Sequence, residues 1–248
     1  MTTPLPRPID AVLFDFSGTL FAVELPQRWL RAAAATVGVQ LDPAQQEALT
    51  GLLLAAGRPG GPEPHAVPPG LAEVYARRDL SPETHRSAYV GLLSTVDLPH
   101  PGLAEALYDR LFRTDGWLPY RDAAPVLAEL RRRGVGTAVV SNIAWDLRPT
   151  FAAYGMAELV DAYVFSHEVG AVKPDPRIFR TACDELKVAP ERALMVGDTL
   201  ADGGAVYAGL QTLLLPASPP DTVHGLAAVL ELVGGGPARP PFAEMADA

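Results

Sequence analysis

Ile9-Asp10-Ala11-Val12-Leu13-Phe14-Asp15-Phe16-Ser17-Gly18-Thr19-Leu20 is the stretch from which the rest of the chain is read. Ala11 to Phe14 are unbroken apolar residues, the pattern of a strand covered on both faces in a parallel sheet. The run delivers a carboxylate, Asp15, to the strand end, and a Gly-Thr turn follows at once. Taking an acid out of water is costly unless a partner compensates it, so an acid at the tip of an apolar strand points to chemistry. Alone, Asp15 reads more readily as the cap of a turn or of a following helix.

Three later segments reverse that reading. Val135 to Ser141 form a second apolar strand, ending in a hydroxyl and then an amide, Asn142. Lys173 stands in Ala171-Val172-Lys173-Pro174-Asp175-Pro176, just ahead of a helix start. Ala193 to Asp198 form a third apolar strand ending in an acid, with Asp202 four residues further. Each alone has a plain reading: Ser141-Asn142 as a strand end and cap, Lys173 as a solvated loop lysine, Asp198 and Asp202 as turn and helix-start acids. Together, strands of one α/β sheet that end in polar groups place those groups along one edge, where such folds bind ligands.

These residues, in this order, resemble the haloacid dehalogenase superfamily, which consists mostly of phosphatases. The resemblance covers most of the chain outside residues 21–117. It implies an α/β, Rossmann-like parallel sheet core covered by helices on both faces, with an inserted α-helical cap. It implies Asp15 as nucleophile, Thr19, Ser141 and Asn142 around the phosphoryl oxygens, and Lys173 neutralising nucleophile and phosphate. It also implies Mg2+ held by Asp15, Asp198, Asp202 and the backbone carbonyl of Ser17, and a small phosphorylated metabolite as substrate. The chemistry is coherent: a carboxylate can form an aspartyl-phosphate, splitting one hard displacement into two. A hard divalent cation with oxygen ligands offsets clustered carboxylates.

One position departs from the pattern. Phosphatases of the superfamily normally carry a second aspartate where this chain has Ser17. General acid–base catalysis contributes roughly 10²–10⁴-fold, and a serine hydroxyl is too weak an acid to supply it. Haloacid dehalogenases also lack an acid there, but they generally lack the Gly197-Asp198 pair as well. Phosphonoacetaldehyde hydrolases need a cap lysine, and residues 21–117 contain none. The phosphoryl-transfer ATPases of the superfamily are larger and membrane-spanning. A phosphatase with another proton source remains, and His65, His85 and His100 in the insertion are candidates. Alternatives are a weakly active or inactive protein that binds a phospholigand and, third, a dehalogenase-type hydrolase.

The chain has 248 residues, 48% of them hydrophobic, a net charge of −9 and one cysteine, Cys183. The charge argues against nucleic acid and anionic membrane as partners. The lone cysteine excludes an intramolecular disulfide, and no apolar run approaches membrane-spanning length, so a cytoplasmic location is expected. Oligomeric state is open. The expected organisation is a catalytic core over 1–20 and 118–233, a helical cap over 21–117 and a flexible tail over 234–248.

In the insertion, helices are expected over Pro26–Val37, Asp42–Leu54, Ser81–Val96 and Pro101–Thr114. The Pro/Gly-rich segment Gly57 to Gly70 reads as a linker, or as a loop bringing Arg58 or His65 to the substrate. The core reads as helix 122–133, a short helix near 146–154, strand 163–166, helix 175–186, helix 202–208, strand 211–215 and helix 221–233. Arg131-Arg132-Arg133 complement a helix C-terminus, and Trp145-Asp146 read as a packed Trp and a capping Asp beside the phosphate pocket.

Overall fold

The computed structural model of the chain describes residues 8–233. Its strands are β1 (Ala11–Phe14), β2 (Phe21–Val23), β3 (Trp117–Pro119), β4 (Gly136–Ser141), β5 (Ala162–Phe165), β6 (Ala193–Gly197) and β7 (Gln211–Leu214). Its α-helices are α1 (Pro26–Thr36), α2 (Pro43–Ala56), α3 (Ala72–Ala76), α4 (Pro82–Leu93), α5 (Leu103–Asp109), α6 (Ala123–Arg132), α7 (Arg148–Ala153), α8 (Ser166–Val169), α9 (Pro176–Glu185), α10 (Leu200–Gly203) and α11 (Ala227–Val233).

Five strands form one parallel sheet in the order β5-β4-β1-β6-β7, with Leu13 opposite Ala138 on one side and Met195 on the other. Side chains alternate across it. Ala11, Leu13, Ala138, Val140 and Met195 pack with Ile178 and Phe179 of α9, whereas Val12, Phe14, Val139 and Val196 pack with Leu127 of α6 and Val229 of α11. Burying a side chain of this kind is worth roughly 1.5–3 kcal/mol, which explains why the strands read as continuous apolar runs. This is the α/β, Rossmann-like architecture expected, and it puts the C-terminal ends of β1, β4 and β6 side by side.

Residues between β2 and β3 fold as helices α1 to α5. Helices α1, α2, α4 and α5 enclose a small core of their own, including Trp29, Leu30, Leu53, Leu93 and Leu107. Tyr75, Tyr89 and Tyr108 instead join the core on the α6 face of the sheet. The chain enters and leaves this insertion through β2 and β3, an antiparallel pair with Phe21 opposite Pro119. Runs of three residues are too short to show an alternating pattern, so the sequence does not announce them.

Helix starts follow local chemistry. Asp42 Oδ1 accepts from the Gln45 N–H while Gln45 Oε1 accepts from the Asp42 N–H, a reciprocal cap. Ser81 and Asp175 cap α4 and α9, each followed by proline. Ends are less faithful. The helix expected from Pro101 begins at Leu103 and tightens into 3-10 turns after Asp109. The last helix begins at Ala227, not Asp221, because Asp221 has φ 62° and Gly225 φ 95°. Asp122 caps there from a distance, its carboxylate accepting from the N–H groups of His224, Gly225 and Leu226. The tail expected over 234–248 lies outside the described residues.

Candidate active site

The ends of the three central strands converge as the alternation of strand and helix requires. Asp15 follows β1 directly, its N–H bonded to the Val196 carbonyl. Ser141 closes β4, and Asp198 follows β6. Two glycines let the acids crowd together: a methyl at Gly18 would lie 2.2 Å from Asp198 Oδ2, and one at Gly197 would lie 2.2 Å from the Asp202 carboxyl carbon.

Lys173 ties the cluster. Its Nζ donates to Asp15 Oδ1 at 2.6 Å, Asp202 Oδ1 at 2.6 Å and the Val140 carbonyl at 3.0 Å, so all three ammonium protons are used. The lysine is itself placed by Asn142, whose Oδ1 accepts from the Lys173 N–H at 2.7 Å and whose Nδ2 donates to the Lys173 carbonyl at 3.0 Å. The Asn142 side chain, expected on the phosphate, therefore holds the lysine loop.

Asp15, Asp198 and Asp202 bring one carboxylate oxygen each within 4.8 Å of one another. Burial pushes the Asp15 carboxyl up to about 7, although Lys173 opposes it. Burial and the neighbouring Asp202 raise Asp198 to about 6. Burial also works against ionised Asp202, but Lys173 and hydrogen bonds from Thr199 outweigh it and hold that carboxyl low. Asp198 Oδ1 is buried and has no hydrogen-bond partner. Three carboxylates against one lysine, with one oxygen orphaned, fit a divalent cation with hard oxygen ligands.

The cluster opens on a cavity of about 780 Å³ between the sheet edge and the insertion. Asp15, Ser17, Ser141, Asn142, Lys173 and Asp198 line it, as do Arg58, Arg78, Asp79 and His85 from the insertion. Thr19 is fully buried outside that lining, its hydroxyl unpartnered, and Asp202 sits behind Lys173. Of the three histidines, His65 and His100 are not on the cavity. His85 is, but its Nδ1 shares a hydrogen with Tyr108 OH, its ring packs on Tyr89 and Trp145, and burial pushes it down to about 3.

Asp79 was not singled out by the sequence. Its carbonyl accepts from Ser166 Oγ at 2.5 Å, and Ser166 also bonds both backbone groups of Ile143. The insertion is thereby pinned to the residue beside Asn142. The Asp79 carboxyl is raised to about 6 by burial, held back by Arg78. The contact to Ser166, 87 residues away, places the Asp79 backbone, Arg78 flanks its carboxylate at 3.7 Å, and no local signal marks it. Arg132 and Arg133 pair with Glu129, as a helix C-terminus suggests. Trp145 lines the cavity, while Asp146 pairs with Arg148.

A model of the haloacid dehalogenase-like hydrolase family matches residues 9–206. The chain belongs to that family. It is 30% identical over 214 residues to a glyceraldehyde 3-phosphate phosphatase of Methanopyrus kandleri, covering 83% of each chain. It is 43% identical over 100 residues to a phosphoserine phosphatase of Thermus thermophilus, a match spanning 40% of each. A crystal structure of a dehalogenase superposes with a TM-score of 0.63 at 25% identity, over 94% of this chain and 98% of that one. The haloacid dehalogenase-like hydrolase described here thus has both phosphatases and dehalogenases among its relatives. No helix among its described residues is long and apolar enough to cross a membrane.

Proposed function

We propose that this hydrolase is a Mg2+-dependent phosphatase of a small phosphorylated metabolite, acting through an aspartyl-phosphate on Asp15. The observation that carries the reading is the orphaned, buried Asp198 oxygen beside Asp15 and Asp202. Metal-free displacement of halide has no use for a third carboxylate there, whereas a divalent cation held by these oxygens would. Asp15, Asp198 and Asp202, with the Ser17 carbonyl, are the groups to hold Mg2+, and the helical insertion over 21–117 is the cap that covers the cavity. Bound Mg2+ would withdraw charge from the phosphoryl oxygens and offset the surrounding carboxylates.

Lys173 holds one oxygen of Asp15 and leaves the other to attack phosphorus. The Asp15–phosphorus bond forms as the ester oxygen departs. Water then attacks the phosphorus of the acyl phosphate, releasing inorganic phosphate and restoring Asp15. The departing oxygen of an alkyl ester needs a proton that Ser17 cannot give. His85 is neutral and locked in aromatic packing. We assign that proton to Asp79, a protonatable carboxyl on the cavity wall with Arg78 at 3.7 Å and the neutral His85 imidazole at 4.0 Å.

Initial rates on p-nitrophenyl phosphate and on a simple alkyl phosphate, with Mg2+ and with chelator, test the reading. We expect Mg2+-dependent release of phosphate from both, with Asp15→Asn reduced at least about 10³-fold. An Asp15→Asn protein retaining a tenth of the rate would refute the nucleophile. Ser17 favours one second reading, a phospholigand-binding protein with little turnover, which predicts stabilisation by phosphate and Mg2+ without product.

A further inference from the structure

The cavity carries a second cationic group, on its insertion side, that the chemistry above does not use. Arg58 is 3% exposed and lines the cavity, yet its Nε and Nη2 are buried with no hydrogen-bond partner. Its guanidinium lies over the Trp29 ring at 4.6 Å, which fixes its plane. The other cations of the cavity are matched: Lys173 by Asp15 and Asp202, Arg78 by Glu63 and Asp79. Glu24, whose charge reaches Arg58, is already gripped by Arg110 and Arg28. No described residue forms an ion pair with Arg58.

A buried, unpaired guanidinium is expensive to keep and calls for an anion that arrives from outside. The two orphaned nitrogens say which kind. Nε and Nη2 form one edge of the guanidinium, a fork matched to a planar pair of oxygens. Elsewhere in this chain that edge receives carboxylates: Arg110 grips Glu24 through Nε at 2.7 Å and Nη2 at 2.9 Å, and Arg121 grips Asp221 at 2.9 Å and 3.0 Å. The loop bearing Arg58 lies over the reacting end of the cavity. A methyl at Gly60 would lie 3.4 Å from Ser17 Oγ and 2.7 Å from the Trp117 ring. Glycines at 57, 60 and 61 leave this loop few side chains to unpack as it admits a ligand. Burial lowers the Arg58 guanidinium only to about 10, so it stays a cation at neutral pH.

We propose that Arg58 is the receptor for a carboxylate on the substrate, so that the preferred substrates are phosphate esters of small carboxylic acids. The proposal rests on the phosphatase reading and narrows it. The phosphoryl group sits at Asp15 and Lys173, and the carboxylate reaches the Nε–Nη2 edge on the insertion wall of the same cavity.

Two non-hydrolysable probes test it by calorimetry in Mg2+ buffer: 3-phosphonopropionate, with a phosphonate and a carboxylate, and propylphosphonate, with the phosphonate alone. The wild-type protein is expected to bind the first at least about tenfold, and up to about 10²-fold, more tightly, as one charge-assisted bidentate contact provides. In Arg58→Gln that ratio is expected to fall to near one, and Arg58→Met repeats the comparison at similar volume. A wild-type ratio near one, or a ratio unchanged in both variants, overturns the Arg58 assignment and leaves the phosphatase reading intact. If neither probe binds and no phosphate ester is hydrolysed, the phosphatase reading fails and the Arg58 assignment falls with it.

Discussion

Lys173 and Arg58 are both buried cations on one cavity, and they were placed there by different logic. Lys173 belongs to the sheet edge and is saturated: three acceptors within 3.0 Å, two of them carboxylates. Arg58 belongs to the insertion and has no anionic partner among the described residues. The sheet edge thus holds its charges matched before any substrate arrives, as electrostatic catalysis requires, while the insertion wall carries a cation unmatched among the described residues.

Removing the saturated cation gives the largest stability effect. In Lys173→Met, Asp15 and Asp202 face each other buried and uncompensated, and breaking such a pair from one side costs about 3–5 kcal/mol. At about 2–4 °C per kcal/mol for a chain of this size, thermal unfolding should shift down by roughly 10 °C. A shift of only a degree or two would mean that the carboxylates relax into solvent and that the cluster is looser than its distances imply.

That sheet edge is legible in the sequence alone. Apolar strands ending in Asp15, Ser141 and Asp198 announce their own ends, because strands buried on both faces admit polar residues only where they emerge. Lys173 was legible through rarity, since the chain has only one other lysine, Lys187. The role of Asn142 was not, because its two hydrogen bonds go to a backbone 31 residues away. The insertion wall was harder still. His85 has the ordinary chemistry of a proton donor, yet its aromatic surroundings silence it. Asp79 has no local mark and acquires its position from Ser166. Arg58 shares with His65 the reading of a residue that its Pro/Gly segment brings to the substrate, and nothing in that composition separates Arg58, on the cavity, from His65, off it. Sequence reveals a site well where secondary structure places it and poorly where tertiary contacts do.

Asp79 offers the next sharpest test of the division. An acid that protonates an alkyl leaving group must itself be protonated, so its contribution is present below its pKa of about 6 and lost as pH rises through it. Arg78 and Lys173 pull that value down, Glu63 pushes it up, and neutral His85 and Tyr89 face the same carboxyl. Because Asp15, raised to about 7 by burial, must be ionised to attack, the alkyl phosphate rate of the wild-type protein should pass through a maximum between about 6 and 7 and fall at higher pH. Asp79→Asn should cost roughly 10²-fold or more on that ester and remove the descending limb. Its loss on p-nitrophenyl phosphate should be at least about tenfold smaller, because nitrophenolate leaves unprotonated. Equal losses on both esters would make the Asp79 carboxylate a structural partner of Arg78 and not a proton donor.

The smallest effect is the one of opposite sign. Arg58→Met removes a buried charge that lacks a counter-ion and keeps an unbranched chain of similar length. The change forfeits the stacking on Trp29, worth about 0.5–2 kcal/mol, but recovers a desolvation cost of several kcal/mol. The ligand-free variant should accordingly melt no lower than the wild-type protein, and by up to about 1 kcal/mol higher. Differential scanning calorimetry without ligand decides this. A loss of 2 kcal/mol or more (on the scale of a broken buried pair) would mean that Arg58 is a strut between Trp29 and Glu24, with its energy spent inside the protein. A neutral or stabilising outcome beside the large loss in Lys173→Met would separate the two buried cations by sign: one neutralises carboxylates the fold itself has gathered, and the other holds a vacancy for a charge the fold does not contain.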